Sequence, residues 1–223
     1  MKSNLSRRLV VEAAGTCALV LAVVGSGIMA QRLSQDPSLA LLCNSLATGA
    51  ALIVLIAVLG PLSGAHFNPA VSLVAALRRE LSPRDAVLYG LSQIAGGAAG
   101  TLLAHAMFEH HLVALSSQIR TGGGQWLAEG VATFGLVAVI VLGSRFRRAL
   151  LPLLVGLYIT SAYWFTASTS FANPAVTLAR TLTDTFSGIR LLDTPAFIIA
   201  QIAGALLAMA ACNWLMKNQD SSS

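Results

Sequence analysis

Apolar residues run along this chain in six long blocks, at about 9–30, 39–60, 84–108, 125–143, 149–167 and 195–216, separated by short polar or basic interruptions. Each block approaches the roughly 20 residues that a helix needs to cross a hydrocarbon layer, so each predicts a membrane-spanning helix. Two further apolar stretches, 66–77 and 171–182, are too short to span. Ser82-Pro83-Arg84-Asp85 supplies a capping serine, a first-turn proline and an acidic third residue at the start of the third block,. Thr194-Pro195 predicts a similar start for the last one. The first block carries Glu12 and is longer than the apolar core of a cleavable signal, so it is expected to stay in the mature protein,.

Composition agrees with the pattern. Hydrophobic residues make up 56% and charged residues 10%, against about 25% charged in soluble domains. That excludes a soluble globular domain, and it excludes a disordered chain, which would be polar and charge-rich. The net charge of +5 is spread in twos and threes, which argues against a nucleic-acid partner,. Its distribution sets an orientation instead. Lys2, Arg7, Arg8, Arg78, Arg79, Arg84, Arg145, Arg147, Arg148 and Lys217 are ten of the fourteen basic residues, and all fall on one side of a six-span topology. The positive-inside rule makes that side cytoplasmic, with both termini inside. Cys17, Cys43 and Cys212 lie in apolar stretches, an odd number without ligand spacing, so packing thiols are expected rather than a disulfide or zinc site,.

The chain repeats itself. Glu12-x-x-x-Thr16-x-x-Leu19-Val20 returns as Glu129-x-x-x-Thr133-x-x-Leu136-Val137, Asn68-Pro69-Ala70-Val71 as Asn173-Pro174-Ala175-Val176, and Gln93-Ile94-Ala95-Gly96 as Gln201-Ile202-Ala203-Gly204. The halves, about 8–115 and 125–216 of a single 1–223 domain, hold three spans each. An odd number of spans inverts the second copy, and the functional site of an inverted repeat is expected near the midplane between the halves. Asparagine caps helices and proline favours the first helical position, so Asn68 and Asn173 each predict the start of a short helix. Entering from opposite faces, the two half-helices bring positive dipole ends together at the bilayer centre. Small Ala70 and Ala175 let them meet. Irregular backbone before each asparagine, 64–67 and 168–172, is tolerated at that depth only inside protein or beside a watery path, to which it offers carbonyl acceptors. Such a path suits neutral hydroxylated solutes and repels cations, protons included.

Paired Asn-Pro-Ala motifs on an inverted six-helix repeat, with Ser63-Gly64-Ala65-His66-Phe67 before the first, closely resemble the aquaporin (major intrinsic protein) family over about Arg8–Met216. The resemblance implies an all-α fold of six transmembrane helices and two re-entrant half-helices. It implies a passive homotetrameric channel in the lipid bilayer, with one pore per subunit. It implies that Asn68 and Asn173 turn side-chain amides into the pore, and that Glu12 and Glu129 brace the two loops through hydrogen bonds. Typical members place an arginine directly after the second motif and an aromatic residue on the second helix. Here Val176 and Thr48 hold those positions, and the other two filter positions fall by resemblance on Ser161, within one residue, and Ser170. Four small or medium side chains imply a wide constriction without the fixed charge and donor fork of an arginine. Threonine with valine is similar to a bacterial branch associated with arsenic-resistance operons, which implies a bacterial inner membrane and passage of arsenite. Glycerol, urea and water suit the same residues.

Several residues admit two readings. Arg180 lies one turn beyond Val176 and either charges the outer mouth or snorkels to the interface, the commoner behaviour near a helix end. Glu12 and Glu129 are either a proton relay of a coupled transporter or structural braces; their symmetric placement beside Thr16 and Thr133 favours bracing. His66 is either a pH gate or a neutral pore-lining or loop-bracing residue, and the second is preferred. His110 and His111 read as a solvated outer pair. Gly96-x-x-x-Gly100 is a close-packing signal, within the subunit or between subunits. Trp126, Tyr158, Tyr163 and Trp164 are candidate interface anchors or pore-wall residues. No nucleophile–base pair, metal spacing or phosphate loop points to an enzyme or a cofactor.

Overall fold

The structure, a computed structural model, describes residues 4–217; Lys2, one of the basic residues used for orientation, lies outside them. Among the described residues eight α-helices form: α1 Leu5–Leu33, α2 Pro37–Ser63, α3 Pro69–Leu77, α4 Pro83–Met107, α5 Gly123–Phe146, α6 Leu151–Phe165, α7 Pro174–Ala179 and α8 Thr194–Lys217. Six are long and apolar enough to cross a membrane, α6 together with the single 3-10 turn Arg148–Leu150 before it. The two short ones, α3 and α7, begin at the predicted prolines.

Local sequence explains most boundaries. Asp36 caps α2 by accepting from the Ser38 amide at 2.8 Å. The Ser38 hydroxyl, with that amide, holds the Asp36 carboxyl below its usual range. Ser82 caps α4 by accepting from the Asp85 amide at 3.0 Å. Thr194 does not play the expected role. Its backbone is already helical, its hydroxyl donates to Leu191 O, and a 3-10 turn over Leu191–Asp193 leads into α8. The preceding turn supplies acceptors for helix-start amides, so no side-chain cap is needed.

The two halves pack in the same way. In the first, α4 crosses α1 at Gly96 and Gly100, where an added Cβ would run into the backbone of Ala13 and Cys17. In the second, α8 crosses α5 at Gly204, where a Cβ would meet the backbone of Gly130. The Gly96-x-x-x-Gly100 signal is therefore used inside the subunit. The repeat also exchanges volume: Gly15 leaves room for the Phe67 ring, while the equivalent positions carry Ala132 and Ala172. Gly96→Val is expected to part α1 from α4, because the obstacle is backbone and cannot rotate away. Overpacking of this kind costs about 1–3 kcal/mol or more. A thermal transition in detergent unchanged from wild type is the result that contradicts this.

Candidate functional site

The site is built where α3 and α7 meet tip to tip. Asn68 and Asn173 each cap their own half-helix. Asn68 Oδ1 accepts from the Ala70 amide at 2.9 Å, and Asn173 Oδ1 from Ala175 at 2.9 Å and Val176 at 3.3 Å. Each side-chain amide then reaches into the other half: Asn68 Nδ2 donates to Ala172 O, and Asn173 Nδ2 to Phe67 O, both at 2.7 Å. The pair staples the two re-entrant loops together and leaves each amide a second N–H for the lumen.

Behind the tips, two buried carboxylates carry the loops. Glu12 accepts from Ser63 Oγ (2.6 Å), the His66 amide (3.0 Å), the Phe67 amide (2.7 Å) and Gln93 Nε2 (2.9 Å). Glu129 accepts from the Phe171 and Ala172 amides (2.8 Å each) and Gln201 Nε2 (2.6 Å). Gln93 also donates to Ser72 and Gln201 to Thr177, so each glutamine ties a carboxylate to a half-helix. Thr16 and Thr133 donate to the helix carbonyls of Glu12 and Glu129 rather than to the loops. With every carboxylate oxygen engaged by fixed donors, the geometry is that of a brace. Close helix crossing at Gly96 and Gly204 brings each glutamine within reach, which links the small residues to the loop conformation.

The loops themselves are held in unusual backbone. Ala65 and Phe67 have φ of 51° and 48°, and their counterparts Ser170 and Ala172 have 51° and 48°. These left-handed conformations are costly for residues with a Cβ and persist where surrounding contacts over-determine them. Their product is a set of unclaimed acceptors: among the described residues, nothing donates to the carbonyls of Gly64, Ala65 and His66, or to those of Thr169, Ser170 and Phe171. All of these except Thr169 line one cavity of about 200 Å³. Backbone acceptors at membrane depth need a partner, and only contents of the cavity remain to supply it.

That cavity is continuous. It runs from Arg78 and Glu80 at one end, past Asn68 and Asn173, to Arg180 at the other. Arg78 at its first end is tied to Glu80 and to Asn213, at 2.8 Å each. Its other wall is apolar, with Leu19, Val23, Leu52, Ile140 and Ile159 among its residues. His66 lines it too, and its Nδ1 lies 3.1 Å from Ser72 Oγ, the hydroxyl that Gln93 also holds.

Toward the Arg180 end the structure keeps some predicted residues and replaces others. Thr48, Ser170 and Val176 are buried in the cavity wall. Ser161 is not in it: it is exposed on the far face of α6, its hydroxyl turned to Tyr158 O, and neither Thr160 nor Ala162 takes its place. The lumen face of α6 carries Val155, Ile159 and Tyr163, and the Tyr163 hydroxyl lies 3.2 Å from Thr48 Oγ1. Tyr158 instead packs on α5, donating to Ala132 O.

Arg180 overturns the preferred snorkelling reading. Only 1% exposed, it turns inward, donates from Nε to Ser187 O, and lays its guanidinium 3.4 Å above the centroid of Phe171. A second arginine, Arg120, which sequence reasoning had not singled out, reaches the same ring from the loop between α4 and α5 at 5.2 Å. Its guanidinium donates to Gly188 O, Phe186 O and Ser168 O. Charge is thus present at this end, supplied one turn beyond Val176. The only sequence signal was that these two are among the four arginines on the sparsely charged side. His110 and His111 are both exposed, as expected of a solvated pair, and His110 also stacks on the buried His105 ring with centroids 5.8 Å apart.

The pattern that defines the family described as "Major intrinsic protein" matches residues 1–170 and 151–223 of this chain. The chain is a major intrinsic protein. Like other members it is a multi-pass membrane channel for small solutes, not an enzyme. Among relatives, it is 61% identical over 214 residues to "Aquaglyceroporin AqpS" of Rhizobium meliloti (strain 1021), covering 96% of this chain and 92% of that protein. It is 30% identical to "Probable aquaporin AqpM" of Archaeoglobus fulgidus, covering 97% and 100%. Among solved structures, the aquaglyceroporin from Plasmodium falciparum superposes with a TM-score of 0.74 over 93% of this chain and 95% of that one, at 21% identity. That match shows that the two share the major intrinsic protein fold.

Proposed function

We propose that this major intrinsic protein is a passive channel for small uncharged hydroxylated solutes, glycerol-like polyols and trihydroxy metalloids such as arsenite among them, with water passing as well. The observation that carries this reading is the two-sided character of the conduit. One wall offers the asparagine amides and five unclaimed loop carbonyls, and the opposite wall is hydrocarbon. A polyol presents the same two sides, an edge of hydroxyls and an edge of carbon, and can satisfy both walls at once. Water alone leaves the apolar wall unmatched.

The narrow outer section is assigned to Thr48, Tyr163, Ser170 and Val176. Tyr163 makes it tighter and more hydroxylated than four small residues would. Val176, where typical members have arginine, still leaves the half-helix end less obstructed. The high identity to a protein named as an aquaglyceroporin supports the same solute class. We further assign a homotetramer in a bacterial inner membrane, with both termini cytoplasmic, on the family resemblance and on the basic clusters.

Fluxes of water, glycerol, urea and arsenite into one preparation of proteoliposomes test the reading. Glycerol and arsenite are expected to pass well above empty vesicles, and flux is expected to ignore an imposed proton or sodium gradient. Solute passage no faster than in empty vesicles ends the proposal; uphill accumulation driven by a gradient replaces it with coupled transport.

A further inference from the structure

Resting on that reading for the position of the outer mouth, we propose that this mouth holds a binding site for one small oxyanion, its two oxygens bridging Nη1 and Nη2 of Arg180 with the Ser170 hydroxyl as an added donor. The site retains an acid at the entrance that neutral solutes share.

Three observations converge. The first is the state of Arg180. Its Nε is consumed by Ser187 O and one face is covered by Phe171, but its two terminal nitrogens have no hydrogen-bond partner among the described residues and keep access to the cavity. What remains free is the end-on fork of a guanidinium, the geometry that takes both oxygens of one acid group. The second is Ser170. It is 3% exposed, lies in the cavity wall, and its Oγ has no partner in the protein. It precedes Phe171, the ring that Arg180 covers, which places the residue at the same end of the cavity.

The third is charge. Among the described residues, Arg180 has no carboxylate of its own. Glu129 is the acid whose field reaches both Arg180 and Arg120, and its oxygens are already held by Phe171, Ala172 and Gln201. Asp193 is held by the Arg120 amide and by Arg190, and Asp184 by Ser117. Arg120 binds carbonyls with all three of its side-chain nitrogens, so it contributes positive charge and positions Phe171 without being a ligand. A buried and a half-buried cation thus share one ring with no free acid among the described residues, a local field that favours an anion,. Farther in, the wall passes to Val176 and the hydrocarbon side, and no arginine lines it again before Arg78 at the far end. The acid therefore binds and does not cross in its charged form.

The test uses ¹³C-formate as the probe at pH 7.5, where it is almost wholly anionic. Detergent-solubilised protein is expected to broaden the formate resonance saturably. Arg180→Gln is expected to weaken binding by about tenfold, and Ser170→Ala by about threefold, in line with losing a charge-assisted fork and one donor. In proteoliposomes, external formate is expected to slow glycerol entry at least about twofold in wild type and not in Arg180→Gln, as occupancy of a shared mouth requires. Wild-type protein that passes glycerol but does not broaden formate overturns the site and leaves the channel reading intact. Broadening without glycerol flux does the reverse. Broadening equally strong in folded Arg180→Gln places the anion elsewhere and also overturns the proposal. If Arg180→Gln does not fold, Ser170→Ala and Arg180→Lys decide, and full binding in both rejects the site.

Discussion

Val176→Arg is expected to cut glycerol flux by about tenfold, an added barrier near 1.4 kcal/mol, while water flux falls much less. Val176 is buried in the wall of the narrow section, one turn inside Arg180, opposite the hydroxyls of Thr48 and Tyr163. An arginine there projects a long cation into a passage already lined by a tyrosine. The nearby acid, Glu129, cannot pair with it, since three donors hold its oxygens. Sterically, the added side chain excludes a three-carbon solute before it excludes water. Electrostatically, it sits close to Arg180 and is repelled toward the lumen. Stopped-flow light scattering on one vesicle preparation measures both solutes. Equal loss of both, or no loss of either, removes Val176 from the constriction.

Replacing the braces should have the largest effect on the protein as a whole. Glu12→Ala strips acceptors from four donors and Glu129→Ala from three, all of them buried or partly buried. A buried donor left unpaired costs about 1–3 kcal/mol, so either change removes several kcal/mol, comparable with the total stability of a domain. The loops would also lose the restraint on the left-handed backbone of Ala65, Phe67, Ser170 and Ala172. Thermal unfolding in detergent is expected to shift down sharply, and flux to vanish. Glu→Gln should do less, because one oxygen and much of the shape survive. A proton relay predicts the opposite ranking of observables: an unchanged unfolding transition with transport lost. That result would reject the brace.

Much of this was legible before any coordinates. The six spans follow from uninterrupted apolar length, because a bilayer sets a minimum that no soluble pattern imitates. The inverted repeat and both half-helix starts follow from local chemistry: asparagine followed by proline caps a helix wherever it stands, and its copy behaves alike. The paired carboxylates were legible for a similar reason, since an intramembrane acid must be satisfied and their symmetric placement favoured a brace of the loops.

Other features depended on long-range packing. Ser161 and Tyr163 lie two residues apart on α6, hence on nearly opposite faces at about 100° per residue. Both faces of a membrane helix are apolar or small, so no polar stripe marks the lumen; contact with α2 and α5 decides that Tyr163 faces it. For Arg180, the local rule for a basic residue near a helix end sees only the lipid headgroups. It cannot see that Phe171 and Ser187, one before the half-helix and one after it, fold back to offer a ring face and a carbonyl. Thr194 failed as a cap because a turn from the preceding segment arrived first. Sequence alone thus determined which segments cross the membrane, where they break and which groups must be hydrogen-bonded, since those are local or set by the solvent. Only the tertiary structure decided which faces line the conduit and where the charge at its mouth resides, since those depend on segments far apart in the chain meeting in space.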